Sequence, residues 1–155
     1  MDVRDLARRL TQALEDQEYD LIKGYVGTDF RFMSQQLPQP LTMDEWIAVA
    51  KSWRVAFPNL RYNFDVNKVD GDNVTFTTQI TGTHTGWLDL SAIGMNAVGP
   101  TNKRISLPKE NGTATIKGGK IQKIMVQSSE KTGLMGILTQ LGVEIPMKIK
   151  DQMTR

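Results

Sequence analysis

Few side chains in this sequence suit acid/base catalysis. His84 is the only histidine in the 155-residue chain and sits within Gly82-Thr83-His84-Thr85-Gly86. General acid/base work needs a group whose pKa can be tuned toward neutrality, within reach of the reacting proton. An imidazole meets the first requirement by type. A carboxylate partner would come from Asp89, Glu110 or Glu130. The same four residues also fit a plainer role: a ring held by backbone hydrogen bonds at a strand end, and three solvated loop charges. With no cysteine in the chain, disulfides and thiolate metal sites are excluded. A single histidine argues against zinc, which normally takes several His or Cys ligands. No metal and no cofactor is expected, since no Gly-rich phosphate loop or nucleophile elbow is present either.

The charge balance narrows the partners. Nineteen basic and seventeen acidic residues leave a formal net charge of +2, too even to predict nucleic-acid or membrane binding by electrostatics. No apolar run approaches the ~20 residues of a membrane span. Met1-Asp2-Val3-Arg4-Asp5 lacks the apolar core of a secretion signal. A soluble, cytoplasmic protein is the expectation. The length suits one domain, residues 1–155, with its core over about 3–142.

Periodicity sets out the helices and strands around His84. Val3, Leu6, Ala7, Leu10 and Leu14 recur at helical spacing and predict a first helix, Asp2 to Asp16. Leu21, Ile22, Tyr25 and Val26 predict a shorter helix ending at Gly27-Thr28-Asp29, and Phe30 to Met33 a short strand. Thr42-Met43-Asp44-Glu45 reads as a capping box, hydroxyl at the N-cap and carboxylate three residues on. It opens a helix carrying Trp46, Ala50, Trp53 and Phe57, stopped by Pro58.

After Pro58 the period changes to two. Leu60, Tyr62, Phe64 and Val66 predict one strand, and Asp70-Gly71 a hairpin turn. Val74, Phe76, Thr78, Ile80, Gly82 and His84 share the buried face of the returning strand, which leaves a threonine-rich face opposite. The eighteen residues from Thr85 to Asn102 form a long apolar loop, either a lid or a cover folded over the open end of the core. Lys103 to Leu107 begins a strand interrupted by Pro108, with a kink or bulge at Asn111-Gly112 and a continuation over Thr113 to Ile116. Gly118-Gly119 turns into a strand from Lys120 to Gln127. A last helix holds Leu134, Ile137, Leu138 and Leu141, with Gly142 at its C′ position. Residues 147–155 read as an exposed or frayed charged tail. The order predicts an α+β design, helices packed on one face of a curved, mostly antiparallel sheet.

Such a sheet wrapped against helices leaves a conical pocket. Its candidate walls are Tyr25, Phe30, Phe32, Trp46, Trp53, Tyr62, Phe64 and Phe76, with Trp87 from the loop and Met125 from the last strand; His84, and Gln127 or Ser129, would supply polar groups.

Phe57-Pro58-Asn59-Leu60-Arg61-Tyr62, Thr81-Gly82-Thr83-His84-Thr85-Gly86, Pro100-Thr101-Asn102-Lys103-Arg104, Gly119-Lys120-Ile121 and Ile137-Leu138-Thr139-Gln140-Leu141-Gly142 occur in that order. Together they resemble the SnoaL-like polyketide cyclase, or ester cyclase, family of the nuclear transport factor two-like (cystatin-like) superfold, over roughly Leu6 to Gly142. The resemblance implies a conical α+β barrel, a homodimer packed through sheet surfaces, and a pocket for a hydrophobic ligand or substrate. It implies general acid/base catalysis by a pocket aspartate without a cofactor, and it places His84 at that pocket. The Glu-Glu-Trp run and following aspartate common in the family are replaced here by Gln122 to Glu130. Three functions stay open: binding of a small hydrophobic molecule; a cofactor-independent cyclase, isomerase or hydrolase using His84 with a nearby carboxylate; and a dimeric interaction domain whose pocket is filled.

Overall fold

Asp2 starts the first helix. Its carboxylate accepts the Asp5 N–H at 2.8 Å and caps α1 (Val3–Glu15), whose buried stripe is Leu6, Ala7, Leu10, Ala13 and Leu14. A computed structural model describes residues 2–153; Met1 and the end of the expected tail, Thr154 and Arg155, lie outside the described residues. Helix α2 (Tyr19–Tyr25) stops one residue earlier than its apolar pattern suggested, because Val26 already pairs with Ile121 in β1 (Val26–Ser34). Helix α3 (Met43–Ala56) opens with the full capping box: Thr42 Oγ1 accepts the Glu45 N–H, and Glu45 Oε1 accepts the Thr42 N–H at 3.0 Å.

The main sheet has the order β1-β7-β6-β3-β2. Its members are β2 (Asp65–Asp70), β3 (Asn73–Thr78), β6 (Glu110–Lys117) and β7 (Lys120–Gln127) besides β1, which runs parallel to β7; the other pairs are antiparallel. β1 and β2 are the two edges, so the sheet stays open and does not close into a barrel. A separate pair, β4 (Thr81–Thr83) and β5 (Arg104–Ser106), follows. Helices α4 (Gly133–Leu141) and α5 (Met147–Met153) end the described chain. Among the described residues, no helix is long and apolar enough to cross a membrane.

Several expected elements differ, each for a local reason. The strand expected from Leu60 starts only at Asp65. Glu15 captures the backbone instead, its carboxylate accepting the Tyr62 and Asn63 N–H groups at 2.9 and 3.0 Å, and Asn63 adopts φ +51°. The alternation of burial nevertheless continues: Leu60 and Tyr62 are buried, Arg61 and Asn63 exposed. The strand expected from Val74 to His84 is broken at Gln79-Ile80, where the chain leaves the main sheet for the β4–β5 pair. Pro108, with no N–H to donate, lies at the matching break between β5 and β6. Asn111-Gly112 is neither kink nor bulge, since both residues pair in register with β3 and β7. Gly112 is needed because the Phe76 ring lies over it, in the space a Cβ would fill. The expected tail is partly ordered as α5, with Ile149 half-buried and Met147 73% exposed.

Candidate functional site: a cavity with one buried carboxyl

The inner face of the sheet is built in rungs. Phe32, Ile124, Ala114 and Val74 are register partners across β1-β7-β6-β3, and Ser34, Val126, Gly112 and Phe76 form the next row. One step further the apolar character ends: Glu110, the first residue of β6, stands opposite Thr78, with Ser128 just past β7. Facing these rungs are α1 through Leu10 and Leu14 and α3 through Trp46 and Trp53. Between them lies a cavity of about 680 Å³. Its aromatic walls are organised in pairs. Phe32 stacks on Trp46 at 5.5 Å between centroids, Tyr62 on Phe64 at 5.2 Å, and Phe64 meets the edge of Phe76 at 5.9 Å.

At the polar end, Ser34 Oγ and Ser128 Oγ lie 2.8 Å apart. Gln36, itself buried, donates to the Ser129 and Thr132 carbonyls at 2.7 and 2.8 Å and accepts the Met135 N–H at 3.2 Å. This one side chain therefore ties the end of β1 to the turn that carries Ser128 and Thr132. Those two residues flank Glu110, which is 8% exposed and whose Oε2 has no hydrogen-bond partner among the described residues. Burial pushes the Glu110 carboxyl above the usual carboxylate range; the Thr132 and Ser128 side chains pull only partly back. Burial likewise raises the Tyr62 phenol above its ordinary value.

His84 is placed elsewhere. Its ring is fully buried but is not part of the cavity lining. It packs 5.2 Å from the Phe57 ring, and its backbone bonds both Lys103 and Asn102. Nδ1 accepts the Thr101 N–H at 3.2 Å and lies 3.0 Å from Thr101 Oγ1, so the neutral ring carries its proton on Nε2, which has no partner among the described residues. Burial holds the imidazole pKa below its ordinary value, offset only in part by the Gly86 backbone. His84 thus pins the two ends of the loop that begins at Thr85. Gly86 seals the same junction, because a Cβ there would overlap the Val55 carbonyl. The loop is folded over the cavity: Leu88 pairs with Val98, Leu88 and Leu90 are buried, and Asp89 to Ile93 form part of the wall.

The other expected site residues divide cleanly. Phe32, Trp46, Trp53, Tyr62, Phe64 and Phe76 line the cavity. Met125 and Gln127 do not, because β7 turns Ile124 and Val126 inward and the strand alternation sends their neighbours to the opposite face. Tyr25 is half-buried outside the lining, and Trp87 is 62% exposed. Asp89 stands on the rim, its Oδ1 accepting the Ser91 N–H at 2.9 Å, which holds its pKa below the ordinary value. Glu130 is exposed and away from the cavity. Ser34, Gln36, Thr78 and Ser128 were not anticipated. Thr78 was already on the buried face of its strand; the other three lie at strand ends, where periodicity gives no signal. Among the described residues, no group of three or more His, Cys, Asp or Glu is placed to hold a metal ion.

These features define a class: α+β proteins in which an open, curved sheet and two helices enclose one mainly apolar cavity. The chain belongs to the SnoaL-like polyketide cyclase family, whose model matches residues 4–141. Solved structures of the same fold include a proposed SnoaL-like polyketide cyclase from Jannaschia sp. CCS1, with 20% identity, TM-score 0.69, and 91% of this chain and 92% of that one covered. IdmH from Streptomyces antibioticus, a proposed polyketide cyclase, has 19% identity and TM-score 0.69 over 92% and 100% of the two chains. AclR from Streptomyces galilaeus, a proposed hydroxylase, has 18% identity and TM-score 0.68 over 93% and 97%. At these identities the likeness carries the fold alone. No curated protein matches the chain.

Proposed function

We propose that this protein binds one small hydrophobic molecule in the cavity and engages it through the Glu110 carboxyl. The observation that carries the reading is Glu110 itself: buried, facing the cavity, with Oε2 unpartnered. A buried polar atom without a partner costs about 1–3 kcal/mol, a cost that a bound ligand can relieve. The volume speaks against an interaction domain with a filled pocket, since ligand sites start at about 300 Å³. A neutral fluorescent probe, N-phenyl-1-naphthylamine, should bind at one molecule per chain. An Ala114→Phe variant, which fills the cavity from β6, should lose it. Full probe binding by a folded Ala114→Phe protein sinks the proposal.

A second reading is proton transfer on the bound molecule, as in a cyclase or isomerase. It is favoured by the direction of the Glu110 shift, since desolvation brings a carboxyl toward the proton affinity that acid/base work needs. Neither reading uses Asp89, Glu130 or His84.

A homodimer is part of the same proposal. The outer face of the sheet carries the row Thr75, Thr113, Met125 and Met33, register partners on four strands. Met125 is 37% exposed there. Sedimentation at micromolar concentration should give twice the chain mass; a monomer would remove this part.

A further inference from the structure

The charged groups around the cavity restrict what can enter it. Glu45, Asp89 and Glu110 belong to its lining; none of the described lining residues is Lys, Arg or His. Glu45 and Asp89 are exposed at the rim, and each is already engaged, Glu45 in the α3 capping box and Asp89 with the Ser91 N–H. Arg31 lies near Glu45 and partly balances it. In the interior Glu110 stands without a counter-charge among the described lining residues, and its Oε2 has no partner among the described residues. The Phe76 ring lies over Gly112, two residues along the same strand face from Glu110. Stacked Tyr62 and Phe64 and stacked Phe32 and Trp46 line the walls beyond.

An ionised carboxylate in apolar surroundings is costly unless a cation meets it. A carboxylic or phosphoric acid ligand would bring a second negative charge to the same place with nothing to pair it. Aromatic faces, by contrast, attract cations. We infer that the ligand is a lipophilic amine, its protonated nitrogen seated on Glu110 Oε2 at the polar end and its ring-containing apolar body filling the aromatic part of the cavity. This assignment rests on the binding reading above and makes Glu110 a counter-ion rather than a proton-transfer group.

The test uses three probes with one body and different charge: 2-naphthylmethylamine, 2-naphthalenemethanol and 2-naphthoic acid. Calorimetric titration of the wild-type chain at pH 8 should rank them amine, alcohol, acid, with the amine about tenfold tighter than the alcohol. Glu110→Gln should abolish that advantage while leaving alcohol affinity within about threefold, since the amide keeps the shape and drops the charge. A pH series on the wild-type protein reads the same contact without a substitution. Glu45 and Asp89 are held below, and Tyr62 above, their ordinary values, while Glu110 is raised, so Glu110 is the first of these cavity carboxyls to take up a proton as pH falls from 8. Amine affinity should fall with pH as Glu110 takes up its proton, and alcohol affinity should not follow. If the alcohol binds as tightly as the amine, or the acid matches it, the charge assignment is overturned and the cavity reading stands. If none of the three binds, both fall together.

Discussion

Glu110→Gln is expected to melt higher than the wild-type protein at pH 8 and no higher at pH 4. The carboxyl is buried with one oxygen unpartnered, and its folded-state pKa is raised by burial. The sign follows from linkage. A raised folded-state pKa means that the folded protein holds this proton more tightly than the unfolded chain. Its stabilising effect is complete below the ordinary glutamate value near 4.3 and is lost as pH rises through the folded value. Above that range the wild-type protein bears the cost of a buried, poorly solvated charge, on the order of 1–3 kcal/mol, and the amide does not. For a chain of this size that corresponds to a gain of roughly 2–12 °C in melting temperature. Equal melting at pH 8 would mean that Glu110 is compensated by something the cavity geometry does not contain, and would weaken every role given to it. If the bound molecule is processed by proton transfer, the same variant loses turnover while gaining stability, the trade expected of a site residue.

His84→Ala is expected to act in the opposite way: a large loss of stability with little change in ligand binding by the protein that remains folded. The substitution removes a fully buried ring that packs on Phe57 and strands the Thr101 N–H that Nδ1 accepts. The missing packing and the orphaned donor together cost roughly 2–4 kcal/mol, or about 4–16 °C of melting temperature. Probe affinity measured well below the melting point should stay within about threefold, because the ring is not part of the cavity wall. The gap between wild-type and variant should also narrow in acid. The His84 pKa is depressed in the folded state, so its contribution is complete above the ordinary value near 6.5 and declines as pH falls toward the folded value. Both proteins carry Glu110, so its opposite slope cancels in the comparison. Lost binding with an unchanged melting point would return His84 to the site.

Much of the architecture follows from local pattern. The capping box at Thr42 and Glu45, the stripe of α1 and the helix stop before Pro58 need only neighbouring residues, and they stand as written in the chain. The alternation from Val74 to His84 correctly sorts buried from part-exposed residues, even though the strand it describes is divided between two sheets. Side-chain phase is a local property of extended backbone; which neighbour an extended segment bonds is not. Hence Glu15 could take the backbone N–H groups at Tyr62 and Asn63, contacts 47 and 48 residues apart that no window of sequence contains.

The site shows the same division. Large aromatic residues on the buried phase of α3 and of the strands marked the walls, because burial and cavity lining draw on the same apolar faces. Glu110 was legible as a candidate and hidden as a wall residue. With Asn111-Gly112 read as a kink, the phase of Gly112, Ala114 and Ile116 could not be carried back across it. Once β6 is continuous from Glu110, that phase turns the carboxyl inward. The α+β class, the apolar faces and the family are legible in residue order alone. That His84 secures a loop while Glu110 faces the cavity emerges only once the chain is folded. Which of two polar groups meets a shared space depends on contacts between segments far apart in the chain, and residue type and spacing do not encode those distances.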